Sequence, residues 1–328
     1  MGQSALFVTE VTIGTMTFGN QCDESVAFTI LDRAYEAGVR SIDTADVYPL
    51  GGGPELRGET ERIVGAWLRS RGVRAEVQVL TKLHGAMGPH RHNRGLGRRH
   101  MAEAVEASLD RLGVEAIDLY QAHGYDPDTP LEEVVANFDA LVRSGRIRYW
   151  GVSNWRAYQL ALAIGLCDRL GLTRPVSVQP RYNALYRAIE AELVPLCLEA
   201  GIGILPYNPL AGGMLTGRYH AGQAVERGSR FDLGHGAGER YRDRYWQPAT
   251  LRAVTAAGRA AARHGVPVGA AALRWVIDRP GVTSAIVGAS RPEQLDESLQ
   301  GVDLRLPPAV SRALDGLWER LPRREEER

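Results

Sequence analysis

Four residues suited to proton chemistry stand at the ends of apolar runs. Asp43 and Tyr48 lie five apart in Ser41-Ile-Asp-Thr-Ala-Asp-Val-Tyr48, where a run led by Val39 and Ile42 gives way to polar residues. Lys82 follows the apolar run 77–81, and His123 lies just beyond the run 117–121. A phenol can hand a proton to a carbonyl oxygen if a neighbour lowers its pKa from about 10. An ammonium favours the phenolate, so Lys82 is expected to lower the pKa of Tyr48. Asp43 would keep that ammonium charged and oriented, and His123 would donate a hydrogen bond to the carbonyl. Each has a plainer role open to it: Asp43 as a solvated acid, Lys82 as a snorkelling surface group, His123 as a structural histidine, Tyr48 as a half-buried loop residue.

Positioning such groups takes a regular scaffold. Apolar runs of strand length alternate along the chain with segments of helical period. The spacing predicts a short N-terminal hairpin from 6–8 and 11–13, then helices over 24–37, 59–69, 101–112, 131–145, 160–170, 189–200, 250–264 and 268–278. Strands are predicted over 39–44, 77–81, 117–121, 148–152, 176–179, 201–206 and 284–287. Thr129-Pro-Leu-Glu132 reads as a capping box. With 14–18 counted as the first strand there are eight, the rhythm of a parallel sheet closed into an α/β (β/α)8 TIM barrel, whose chemistry sits at the C-terminal strand ends. A doubly wound sheet is the alternative, and no Gly-x-Gly-x-x-Gly follows a first strand to support it. A long polar insertion, 217–248, follows strand seven; loops of that length are usually lids, binding loops or disordered. One domain over 1–328 is expected, with a frayed tail over 322–328.

Composition narrows the function. The chain has 39 basic and 39 acidic residues, so no global field favours nucleic acid or an acidic membrane. Cys22, Cys167 and Cys197 are widely spaced and offer neither a disulfide framework nor a cysteine-rich metal site, which fits a reducing compartment. No run reaches the length of a membrane helix. The expected setting is cytoplasmic. Gly51-Gly-Gly-Pro54 lacks the spacing of a phosphate loop. The stretch from His84 to His100 carries four histidines, four arginines and no acid. A metal site, a nucleic-acid patch and a solvated loop at a barrel mouth compete for it. The i,i+2 spacing of His90 and His92 is poor for metal, no aromatic residue is interleaved for base stacking, and charge runs are usually solvated. Such a loop also attracts an anionic substrate or cofactor.

The barrel reading demands that polar residues at strand ends converge. Beyond the first four these are Ser153 and Asn154, Gln179, Tyr207, and Ser290 with Arg291. Two amides suit a carboxamide, and a tyrosine face suits a stacked ring. Together this is equipment for delivering a hydride from a nicotinamide to a carbonyl. The motifs Gly14-Thr-Met-Thr-Phe-Gly19, Asp43-Thr-Ala-Asp-Val-Tyr48, Thr81-Lys82, Asp118-Leu-Tyr-Gln-Ala-His123, Gly151-Val-Ser-Asn154, Pro206-Tyr-Asn-Pro-Leu-Ala-Gly-Gly213 and Ile286-Val-Gly-Ala-Ser-Arg-Pro-Glu-Gln-Leu295 complete the pattern. Through them the chain resembles the aldo-keto reductase superfamily over nearly its full length.

The resemblance implies an NADP(H)-dependent carbonyl reductase with the catalytic tetrad Asp43, Tyr48, Lys82 and His123 and a small-molecule carbonyl substrate. It assigns nicotinamide contacts to Ser153, Asn154, Gln179 and the stacking Tyr207. It places the pyrophosphate near Asn208, Pro209, Leu210 and Gly213, and adds Gly14, Thr15, Met16, Asp43 and Arg218 to the cofactor set. The adenosine end falls to Gly288, Ser290, Arg291, Gln294, Glu297 and Ser298; similar sequences often carry asparagine at this last position. Ser290-Arg-Pro-Glu293 reads as a capping box, and a helix N-terminus beside an arginine suits a ribose 2′-phosphate. NADPH is therefore expected to be preferred over NADH. Phe18, Tyr125 and Trp155 are expected to join Tyr48 and His123 in an aromatic-rich substrate wall, with Phe231, Tyr241, Tyr245 and Trp246 from the insertion, which resembles the superfamily's variable lid. The resemblance extends to cation-channel β subunits that bind NADPH and regulate a partner. Reduction of a keto-sugar or nucleotide-sugar, with the basic stretch meeting its anionic part, is a further alternative.

Overall fold

Eight parallel strands curl into a (β/α)8 barrel in the computed structural model, which describes residues 1–322. The order is β1 Val11–Gly14, α1 Glu24–Glu36, β2 Ser41–Asp43, α2 Glu59–Arg71, β3 Gln78–Leu83, α3 Arg98–Leu112, β4 Ile117–Ala122, α4 Leu131–Arg143, β5 Ile147–Ser153, α5 Ala157–Leu170, β6 Ser177–Gln179, α6 Leu193–Ala200 and β7 Gly203–Ile204. Then come α7 Ala237–Tyr245, α8 Pro248–Ala262, α9 Val268–Ile277, β8 Ala285–Gly288, α10 Pro292–Leu299 and α11 Pro308–Arg320. Neighbours in sequence are neighbours in the sheet, and β1 pairs with both β2 and β8. Isolated bridges, Ile204 with Val282 and Tyr207 with Ile286, carry β7 across to the β8 side.

The strands read as apolar runs because both of their faces are covered. Every residue of β4 is buried. Leu80 and Leu119, cross-strand partners on β3 and β4, meet Leu205 and Ile286 in one cluster; Val79, Tyr120 and Val152 belong to the larger core that includes the helices. Helix ends follow local chemistry. At Gly113 the backbone turns left-handed (φ 65°) and its N–H bonds back to Leu109 O at 2.8 Å, a conformation glycine adopts at low cost.

Three local expectations are corrected. No N-terminal hairpin forms: Val11–Gly14 is itself the first barrel strand, and β2 and β8 occupy both its edges, leaving none for residues 6–8. Met1 and Leu6 instead join the Leu80–Leu119 cluster inside the barrel. Of residues 14–18 only Gly14 is in the strand; 15–18 turn away from it, with Phe18 N–H on Thr15 O at 2.9 Å. The capping box at Thr129 is also absent. Pro130 holds the N-cap of α4, and the Thr129 hydroxyl donates to Asp126 Oδ2 at 2.7 Å. Among the described residues no helix is long and apolar enough to cross a membrane. The tail expected over 322–328 lies outside the described residues beyond Pro322.

Candidate active site

Asp43 closes β2, Lys82 is the penultimate residue of β3, and His123 follows β4 directly. Hydrogen bonds continue past the strands: Asp46 N–H donates to Lys82 O at 3.1 Å and His123 N–H to Leu83 O at 2.8 Å. They lay the segment 44–48 over the end of β3 and bring Tyr48 edge-on to His123, ring centroids 5.7 Å apart. Lys82 is fully buried. Its ammonium donates to Asp43 Oδ2 at 2.6 Å and to Thr44 O at 2.7 Å, and lies 5.1 Å from the centre of the Tyr48 ring. The second Asp43 oxygen accepts from Gln179 Nε2 at 2.8 Å.

The electrostatics correct one expectation. Tyr48 is pushed well above the ordinary phenol value, chiefly by burial, with the Asp43 charge adding to the rise and Arg230 opposing it. Burial and the Asp43 charge prevail over the opposing cation. Burial also raises Asp43, against the pull of Lys82 and the two glutamines. His123 is driven well below the ordinary imidazole value by burial and then by Lys82 and His84. At neutral pH the site therefore presents a protonated phenol and a neutral imidazole, two hydrogen-bond donors with no net charge.

A cavity of about 1030 Å3 opens over these groups. Tyr48 and His123 line it, as does every residue that the resemblance assigns to a cofactor: Gly14, Thr15, Met16, Asp43, Ser153, Asn154, Gln179, Tyr207, Asn208, Pro209, Leu210, Gly213, Arg218, Gly288, Ser290, Arg291, Gln294, Glu297 and Ser298. Asn154 ties its near end together. Its amide donates to His123 O at 2.9 Å and its carbonyl accepts from the Tyr207 hydroxyl at 2.8 Å. At the far end Arg291 is the N-cap of α10. The expected Ser290 capping box is not made: Pro292 opens the helix, and Ser290 N–H and hydroxyl both turn to Gln294 Oε1, at 3.0 and 3.2 Å.

Between the two ends the chain bends through left-handed residues at Asn208, Ala211, Gly212 and Gly213, with Asn208 Oδ1 accepting from Gly212 N–H at 2.6 Å. A Cβ on Gly212 (φ 69°) would lie 2.7 Å from Tyr241 Cδ1 and 3.2 Å from Arg230 Cγ; one on Gly213 would lie 2.9 Å from Arg218 Nη2. Two arginines thus flank the bend. Arg230 was not among the residues singled out from sequence. It lines the cavity, and its Nη1 is buried without a hydrogen-bond partner. The one sequence signal is its place beside Phe231, which is buried in the core. Gly212→Ala is expected to destabilise the fold by about 1–3 kcal/mol, the usual cost of holding a non-glycine residue in a strained conformation. Urea unfolding of the variant checks this, and a stability equal to wild type would contradict it.

Comparison with known proteins places this arrangement. The aldo/keto reductase family matches residues 10–319. The chain belongs to that family. It is 36% identical over 99% of its length to a probable voltage-gated potassium channel subunit beta of Arabidopsis thaliana, covering 98% of that protein. It is 34% identical to protein Tas of Escherichia coli, with 96% of both chains covered. It is 32% identical to the uncharacterized oxidoreductase YrpG of Bacillus subtilis, over 97% of this chain and 94% of that one. Family membership and these relatives support oxidoreduction as its general chemistry.

Most of the aromatic residues expected in a substrate wall lie elsewhere in this member of the family. Phe18 is wholly buried in the core and does not line the cavity. Tyr125 and Trp155 pack on each other edge to face, 5.1 Å apart, outside it. Phe231 and Trp246 are 4.8 Å apart and close on Tyr219, an aromatic knot that secures the lid rather than facing a ligand. The Tyr245 hydroxyl accepts from Asn183 and Asn208. Of the expected lid aromatics, Tyr241 alone reaches the cavity. Large aromatic side chains bury themselves where they can, and arginines take the lining instead. From the basic stretch 84–100 only Ala86 lines the cavity, and His90 stacks on His92 at 5.3 Å.

Proposed function

We propose that this chain is an NADPH-dependent reductase that converts an aldehyde or ketone to an alcohol, working as one domain in the cytoplasm, where its three buried cysteines remain free thiols. The observation that carries the reading is the meeting of a buried Lys82–Asp43 pair, a protonated Tyr48 and a neutral His123 at one end of the cavity that gathers the whole expected cofactor set. The donors along that cavity fit the dinucleotide. The unpartnered Nη1 of Arg230, with Arg218, suits a pyrophosphate beside Gly212 and Gly213. Arg291 is exposed at the start of α10 and has no acidic partner among the described residues, which suits a 2′-phosphate.

NADPH, when bound, supplies the hydride that the carbonyl carbon receives. Tyr48 holds the proton destined for the carbonyl oxygen. His123 donates its N–H to the same oxygen and sets it beside the phenol. As the proton leaves, negative charge develops on Tyr48, and the Lys82 ammonium near its ring stabilises that charge. Asp43 fixes the ammonium in place, and Asn154 steadies the backbone of His123.

Wild type is expected to bind NADPH more tightly than NADH. Arg291→Ala should raise the Kd for NADPH roughly tenfold or more, the loss of one charge-assisted contact of about 1.5–3 kcal/mol, and affect NADH far less. Fluorescence titration measures both; equal wild-type affinities for the two nucleotides would sink this part of the reading. The name of the Arabidopsis thaliana relative favours a second reading, a nucleotide-binding channel subunit. Tight NADPH binding with no oxidation by any carbonyl would move the assignment there.

A further inference from the structure

The charged residues around the cavity fall into groups. Arg291, Glu293 and Glu297 surround α10, and Arg218 and Arg230 flank Gly212 and Gly213. What remains on the lid and the loop facing it is Arg57, Arg227, Arg240, Arg244 and His235 against one acid, Glu226. None of these four arginines has an ion pair or side-chain hydrogen bond among the described residues. The chain carries as many acids as bases, so composition does not force the excess.

The lid sets these cations along the cavity that Tyr48 and His123 also line. Gln21 Nε2 donates to Gly228 O at 2.9 Å, and a Cβ on Gly51 would lie 3.1 Å from Leu233 Cβ, so the lid rests on the loops that follow β1 and β2. Arg240 and Arg244 stand four apart on α7 and so share one face, beside the cavity-lining Tyr241. Arg244 lies near enough to Tyr207 to oppose the effect of burial on that phenol, and Tyr207 bonds the Asn154 that carries the His123 backbone. An opening lined in this way repels cations and draws in anions.

We propose, on the reductase reading above, that the substrate is an anionic carbonyl compound, its carboxylate or phosphate held by Arg240 and Arg244 while its carbonyl faces Tyr48 and His123. The anionic group would be unchanged in the reaction. NADPH would supply the hydride to the carbonyl carbon, Tyr48 would give its proton to the oxygen, and water would reprotonate Tyr48.

The test uses the full chain with NADPH and two matched pairs of aldehydes: 4-formylbenzoate against its methyl ester, and 4-formylphenyl phosphate against 4-methoxybenzaldehyde. In wild type the charged member of at least one pair should show kcat/KM about tenfold higher at low salt, as one charge-assisted contact provides. That ratio should fall several-fold between roughly 20 and 200 mM salt as screening grows. The pair with the larger ratio tells carboxylate from phosphate. Arg240→Gln with Arg244→Gln should bring the ratio to within about twofold of one, and calorimetry should show the alcohol product of the favoured anion bound roughly tenfold more weakly than by wild type. The wild-type arms decide the matter even if the double variant does not fold. Turnover of both members of each pair at similar rates, or a ratio indifferent to salt, overturns the anion proposal and leaves the reductase standing. Turnover of none of the four overturns the reductase reading and the proposal with it.

Discussion

Tyr48→Phe is expected to lower kcat for carbonyl reduction by ~10²–10⁴-fold, the usual worth of a positioned general acid, while NADPH still binds. The substitution deletes one hydroxyl and keeps the ring that packs edge-on to His123, so the cavity keeps its shape. No neighbouring group replaces the lost proton. His123 is held neutral by burial and by the Lys82 charge, and the Lys82 ammonium is bound to Asp43 and Thr44 O. Steady-state kinetics with NADPH titration in parallel measures both quantities. A variant near the wild-type rate would refute Tyr48 as the proton donor.

Lys82→Met is expected to destabilise the fold by about 3–5 kcal/mol, the range seen when one partner of a buried ion pair is removed. The methionine fills much the same volume, so the loss is electrostatic. It leaves the Asp43 carboxylate buried with amide donors alone. Burial already raises Asp43 against the pull of Lys82, and without the ammonium that rise is unopposed. The sign follows. A carboxyl whose folded pKa exceeds its unfolded value stabilises the fold when protonated, below about pH 4, and that contribution disappears as pH climbs through the folded value. The variant should therefore recover stability relative to wild type as the medium is acidified. Adding Asp43→Asn should restore part of the loss at neutral pH. Urea unfolding at several pH values decides it; a single variant as stable as wild type at pH 7 would contradict the account of the pair.

The barrel was legible in the sequence because strands covered on both faces read as apolar runs. The same runs placed Lys82 near the end of β3, and His123 and Asn154 just past β4 and β5. The first strand was displaced because Val11–Gly14 and the turn after it are similar in residue type, and only pairing with β2 and β8 tells them apart. The lid aromatics were misplaced for a different reason. Aromatic residues in a polar insertion look like ligand contacts, yet Phe231 and Trp246 find one another and Tyr219, while Arg240 and Arg244 face inward. The lid meets the loops after β1 and β2 through Gly228 with Gln21, 207 positions apart, and through Leu233 beside Gly51, which leaves no local periodicity to read. Arg230 was missed for the same reason. It becomes visible only when Gly212 is seen to make room for it.

The most direct measurement follows a label. NADPH deuterated at the nicotinamide C4 would be incubated with the protein and a panel of neutral and anionic aldehydes and ketones, and the products weighed by mass spectrometry. Deuterium on the carbinol carbon of a product alcohol, absent from Tyr48→Phe reactions of equal length, is the predicted result. NADPH that binds but passes no deuterium to any carbonyl would contradict the reductase account.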